Sequence, residues 1–95
     1  MPTYIVLHEL SGENLEHLQT EIADGKAILD EMECELHDLY LTFGRFDAVG
    51  IIDAPDDETA AQFVMTLARE NDVGTETLRA FPEDETEALL EGMPE

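Results

Sequence analysis

Positive charge is scarce in this chain. Lys26, Arg45, Arg69 and Arg79 are its only basic side chains besides three histidines, set against 24 aspartates and glutamates, for a formal net charge of −20. Proteins bind phosphate backbones by placing clustered Lys and Arg where counterions can be released. No such cluster exists here, so no nucleic-acid partner is expected. Tryptophan is absent, which removes the strongest stacking platform for bases. The single cysteine, Cys34, excludes an intrachain disulfide. The N-terminal stretch Met1–Leu10 has no basic region and only a short apolar run, so neither a signal peptide nor a membrane span is read, and a cytoplasmic location is expected. No phosphate loop, dinucleotide fingerprint or Ser/His/Asp order stands out, and no cofactor is expected. Cys34 and His37, with Glu33 and Asp38 beside them, straddle a helix–strand junction, and His17 stands alone, so no metal site is expected.

What is present is a folding pattern. Hydrophobic residues make up 43% of the 95 residues, too many for a disordered acidic tail. The acids run along the whole chain. That distribution fits a protein from a salt-accumulating microbe, because molar salt shrinks the Debye length to about 3 Å and suppresses self-repulsion. The alternative is a mimic of nucleic acid or a binder of basic partners.

Thr3–His8 is β-branched, aromatic and apolar and reads as a strand. Ser11 offers an N-cap with Glu13 in the first turn, and Leu15, Leu18, Ile22, Leu29, Met32 and Leu36 recur at helical spacing, predicting a helix from about Gly12 to Glu33. Gly25 on that face either allows close approach or marks a break. Leu36–Phe43 alternates as a second strand, Gly44-Arg45 reads as a two-residue hairpin turn, and Phe46–Ala54 is a third strand. Asp56 caps a second helix carrying Ala60, Phe63, Val64 and Leu67, which ends at Asn71-Asp72. Val73–Phe81 is the last strand, and Glu83–Glu91 a short acidic helix. The order β-α-β-β-α-β predicts an α+β ferredoxin-like sandwich: a four-stranded antiparallel sheet with two helices on one face. Residues 1–82 form the domain and 83–95 its acidic helical tail.

Alternation sorts the strand residues into two faces. Ile5, Leu7, Leu39, Leu41, Val49, Ile51, Leu78 and Ala80 are expected under the helices. Tyr4, Val6, His8, Tyr40, Thr42, Ala48, Gly50, Ile52, Thr75, Thr77 and Arg79 are expected on the open face. That second set is nearly free of acids in a chain full of them, with Asp38 the main exception, which predicts a homodimer through the open face. Two sheets meeting there would enclose a pocket whose ligand-binding residues are Tyr4, His8, Tyr40, Thr42 and Arg79. His8 is the acid–base candidate, since its unperturbed pKa lies near neutrality, and Asp47 is a second catalytic candidate.

The segments Pro2-Thr3-Tyr4-Ile5-Val6-Leu7, Gly44-Arg45-Phe46-Asp47, Asp53-Ala54-Pro55-Asp56-Asp57-Glu58 and Thr75-Glu76-Thr77-Leu78-Arg79-Ala80-Phe81 resemble the GYD domain family over nearly the whole chain, least over Ser11–Glu35. The resemblance implies a small ferredoxin-like domain of the dimeric α/β-barrel type and no assigned biochemical activity. Gly44 and Asp47 match the turn motif, while Phe46 stands at the tyrosine position, so no mechanism here uses a phenol at that place. Three functions are carried forward. The first is a dimer binding a small, anionic molecule between its sheets. The second is a cofactor-independent monooxygenase or isomerase with His8 as base and Asp47 or Tyr40 as helper. The third is a purely structural interaction module.

Overall fold

A computed structural model describes all 95 residues. Four strands, β1 (Thr3–Glu9), β2 (Glu35–Leu41), β3 (Ala48–Asp53) and β4 (Gly74–Ala80), form one antiparallel sheet in the order β2-β3-β1-β4. Of the helices α1 (Gly12–Glu16), α2 (Leu18–Glu31) and α3 (Asp57–Asn71), α2 supplies Leu29 and α3 supplies Ala60, Phe63 and Leu67 to the same buried cluster as the sheet residues Tyr4, Val6 and Ile52. The helices therefore share one face of the sheet, and the fold is the expected ferredoxin-like α+β sandwich.

The local chemistry explains most boundaries. Ser11 and Asn14 form a reciprocal capping box at the start of α1. The expected single helix is broken at His17, whose ψ of 34° ends α1 before α2 begins, whereas Gly25 lies within α2 without interrupting it. Asn14 is buried and its Nδ2 donates to the Asn71 carbonyl at 2.7 Å, while Asn71 Nδ2 donates to Glu21 Oε2 at 2.8 Å, so one polar chain ties α1, α2 and α3 together. The Asp56 carboxylate accepts from the Thr59 N–H and hydroxyl and starts α3, and Asp72, in the left-handed region at φ 55°, stops it. The hairpin is longer than the two residues expected: β2 ends at Leu41 and β3 starts at Ala48. Its loop is closed by Thr42, whose N–H donates to the Asp47 carbonyl and whose hydroxyl donates to the Phe46 carbonyl. Gly44 carries the loop's positive φ, 126°.

The face assignment is reversed on three of the four strands. On β1 and β3 the buried residues are Tyr4, Val6, Ala48, Gly50 and Ile52, and register pairs Tyr4 with Ile52, Val6 with Gly50 and His8 with Ala48. Thr75, Thr77 and Arg79 lie opposite His8, Val6 and Tyr4 and so take the same, helix-side face. Ile5, Leu7, Val49, Ile51, Leu78 and Ala80, expected beneath the helices, form the open face instead. Only β2 follows expectation, with Leu39 opposite Gly50 and Tyr40 opposite Val49. A β-bulge between Leu36 and Asp38 makes this phase possible, because it lets Leu36 and Leu39 point the same way.

The C-terminal residues stand apart. A 3-10 turn (Glu83–Glu85) and α4 (Thr86–Glu91) are exposed throughout, with no buried residue. The radius of gyration is 14.6 Å, against about 12.4 Å for a compact chain of this length, and the long axis reaches 52 Å, as a projecting arm requires.

Candidate functional site

The residues expected to line one pocket are distributed over two faces and an edge. Tyr4 is buried in the core, and its hydroxyl donates to Asp57 at the start of α3; burial and this carboxylate push its pKa up to about 12. Arg79 lies at the β4 edge, stacked over the Phe81 ring at 4.3 Å and the Tyr4 ring at 5.6 Å, and its guanidinium donates to the carbonyls of Thr3 and Ala80. Thr42 is committed to the hairpin loop. Tyr40 alone of the set is on the open face, where it is 56% exposed. These side chains do not converge, so the expected polar lining of an inter-sheet pocket is not assembled.

Asp47 turns out to be a latch. Its N–H donates to the His8 carbonyl at 2.8 Å, and its Oδ2 accepts from the Leu10 N–H at 2.8 Å. The carboxylate thus satisfies the backbone where β1 leaves the sheet for α1, and it is turned to that N–H rather than to the His8 imidazole. Arg45 sits over the Phe46 ring at 5.4 Å, so the Gly44–Asp47 motif shapes and anchors the hairpin tip.

His8 faces the helices. It borders an apolar cavity of about 90 Å³ between the sheet and α2, shared with Val6, Leu18, Ile22, Leu39 and Phe63. The imidazole packs over Gly50, where a Cβ would stand 3.4 Å from His8 Nε2. Burial holds the His8 pKa below 6.5, leaving it neutral near pH 7.

A different titratable cluster emerges at the β2–β3 edge. Glu35, His37 and Asp53 bring one ligand atom each within 4.8 Å of one another, the one grouping able to hold a metal ion. His37 Nε2 and Asp53 Oδ2 are 2.7 Å apart, and Asp53 also accepts from the Thr3 hydroxyl at 2.7 Å. The bond to Asp53 raises the His37 pKa above 6.5. Partial burial works to raise that of Asp53, yet the bonds from Thr3 and His37 outweigh it and hold the carboxyl below 3.8. Sequence spacing alone missed this trio because it depends on the bulge beside His37 and on Asp53 arriving from the neighbouring strand. Of the residues weighed for metal from the sequence, His37 alone belongs to this trio; Cys34 is buried, its thiol pKa raised mainly by burial.

The open face is the remaining feature. Ile5, Leu7, Val49 and Ile51 are only partly buried, Leu78 is 46% exposed, and no element of the chain lies across them. No helix is long and apolar enough to cross a membrane.

Comparison with known proteins agrees with this architecture. The chain is 33% identical over 86 residues to a Thermus thermophilus protein, the glutamine synthetase and cystathionine beta-lyase binding protein, covering 86% of this chain and 90% of that one. The crystal structure of FFRP-DM1 superposes with a TM-score of 0.59 at 19% identity, over 85% of this chain and all of that one. The leucine response regulatory protein LrpA of Mycobacterium tuberculosis gives 0.55 at 16% identity, over 87% of this chain and 54% of its own length. At these identities the two structures speak for the fold alone. A model of the GYD domain matches residues 4–90, and the chain belongs to that family.

Proposed function

We propose that this chain is a protein-binding module that pairs with a second copy of itself through its open sheet face and docks, as a dimer, on a metabolic enzyme of the glutamine synthetase or cystathionine beta-lyase kind. The observation carrying this reading is the apolar face of Ile5, Leu7, Val49, Ile51 and Leu78, left bare in a molecule of net charge −20. A bare apolar patch on a soluble chain, here bordered by Glu76 beside Leu7 and Asp38 beside Ile51, marks an interface, and a self-complementary twofold pairing is the commonest way to cover one. A pairing of standard size, about 800 Å² from each copy, is within reach of four strands of six or seven residues. The relative's binding of two enzymes supports the second half of the proposal. The acids on the remaining surface serve as a solubility shell in the concentrated salt of the cytoplasm.

The test has two arms. Light scattering of the full chain in molar KCl should give twice the chain mass of 10.6 kDa, and purified glutamine synthetase from the same cells should co-elute with it. A monomer at all concentrations removes the first half, and a dimer that ignores both enzymes removes the second. The readings built on His8, Tyr40 and Arg79 meeting between two sheets lose their support, since His8 and Arg79 lie on the helix side. An acid–base pair of His8 with Asp47 or Tyr40 loses it too, because Asp47 is latched to Leu10 and Tyr40 points the other way.

A further inference from the structure

The cavity beneath α2 is not needed for the interface, and its construction is unusual for a core. Its sheet-side wall contains Ala48 and Gly50, the smallest residues available, beneath a helix that contributes Gly25. A Cβ at Gly25 would meet nothing within 4 Å, so space has been left on the helix side. Well-packed interiors have few voids larger than a water molecule, and a volume of about 90 Å³ is several times what one water needs. The lining is overwhelmingly apolar. Water in such a space lacks the two to four polar partners that it requires.

One polar group breaks this lining from within. The His8 imidazole reaches over Gly50, and burial is the sole influence on its ionisation: no charged or hydrogen-bonding neighbour engages it. Of the other polar side chains here, Glu21 and Asn71 are bonded to each other, and Lys26 is exposed. A neutral imidazole presents one donor and one acceptor. An apolar space of this size with one free hydrogen-bonding group matches the general form of a small-molecule site.

We infer that the cavity between the sheet and α2 binds a small, neutral, mostly apolar molecule with a single hydroxyl, which hydrogen-bonds to His8. Leu39 and Leu41, 36% and 58% exposed, stand at its open side, where α2 does not cover β2. The site lies within one subunit, on the face opposite the proposed interface, so each can fail without the other.

The experiment is an NMR titration of the full chain in molar KCl with two probes of equal size, phenol and toluene. Phenol should shift the amides of Val6, Gly25 and Gly50 saturably and move the His8 ring-nitrogen resonance, which toluene should leave in place. His8→Phe should lower the preference for phenol over toluene about tenfold, the value of one net hydrogen bond. Gly25→Leu should fill the space and abolish both titrations while leaving the scattering mass unchanged. An unsaturable response to both probes overturns the inference. So does phenol binding that leaves the His8 ring nitrogens unmoved, or that survives Gly25→Leu. If His8→Phe does not fold, the ring-nitrogen response of the unaltered chain decides.

Discussion

The two faces of this sheet contrast in an unexpected direction. The face under the helices is built partly from small and polar residues, with Ala48, Gly50 and His8 beside Tyr4, Val6 and Ile52. The face left open carries the bulkier aliphatic residues Ile5, Leu7, Val49, Ile51 and Leu78, with Asp38 and Glu76 beside them. A lone domain would gain most by burying its greasier side under its own helices. Exposing it instead is economical only when a second layer arrives from outside. The covered face, with its glycine and histidine, has been given over to leaving room.

Adjacent residues on β3 allow this contrast to be broken. Ile51→Glu should have the largest effect, because the proposed twofold pairing would bury the new charge twice. The dimer dissociation constant should rise at least about a hundredfold, seen by sedimentation as a folded monomer with unchanged circular dichroism. Loss of folding instead would mean that Ile51 belongs to the subunit core. Ile52→Ala, one residue on, should cost about 2–5 kcal/mol of unfolding free energy, independent of protein concentration in denaturant melts. Asp47→Ala leaves the Leu10 N–H without its acceptor and should cost about 1–3 kcal/mol, with faster hydrogen exchange confined to the β1–α1 turn. Gly25→Ala should stabilise the chain by about 0.5–1 kcal/mol, since the added methyl meets no neighbour.

The smallest effect sharpens the comparison through pH. His37 has a raised pKa, so its bond to Asp53 contributes fully below pH 6.5 and is lost as pH rises through the higher folded value. Asp53 has a lowered pKa, so its share is present above pH 3.8 and lost as pH falls through the folded value. The pair is therefore at full strength between about pH 4 and 6.5. His8 runs oppositely: its lowered pKa keeps it neutral, and stability falls as pH drops below 6.5 towards its folded value. NMR titration should find His37 above 6.5 and His8 below it; the reverse order would contradict both placements.

The elements were legible because their signals are local. Ser11 and Asp56 cap helices, Asn71-Asp72 ends one, and β-branched runs mark the strands. The phase of β1, β3 and β4 was not: Tyr4-Ile5-Val6-Leu7 and Val49-Gly50-Ile51-Ile52 are apolar on both sides, so period two gives no contrast, and β4 takes its phase from its pairing with β1. β2 was assigned correctly because Asp38 and Tyr40 alternate with Leu39 and Leu41. Scarcity of acids on one set of residues identified a protected layer, but helices protect a layer as well as a partner does. The bulge at His37 and the latch at Asp47 depend on neighbours far along the chain, beyond what spacing reveals.

The strand order has a consequence for synthesis. β1 emerges first yet lies in the interior of the sheet, hydrogen-bonded to β3 on one side and to β4 on the other. During translation its second edge stays unsatisfied until Gly74–Ala80 has left the ribosome. Before then the nascent chain shows an unpaired apolar strand, the kind of edge that recruits chaperones or stray β-strands.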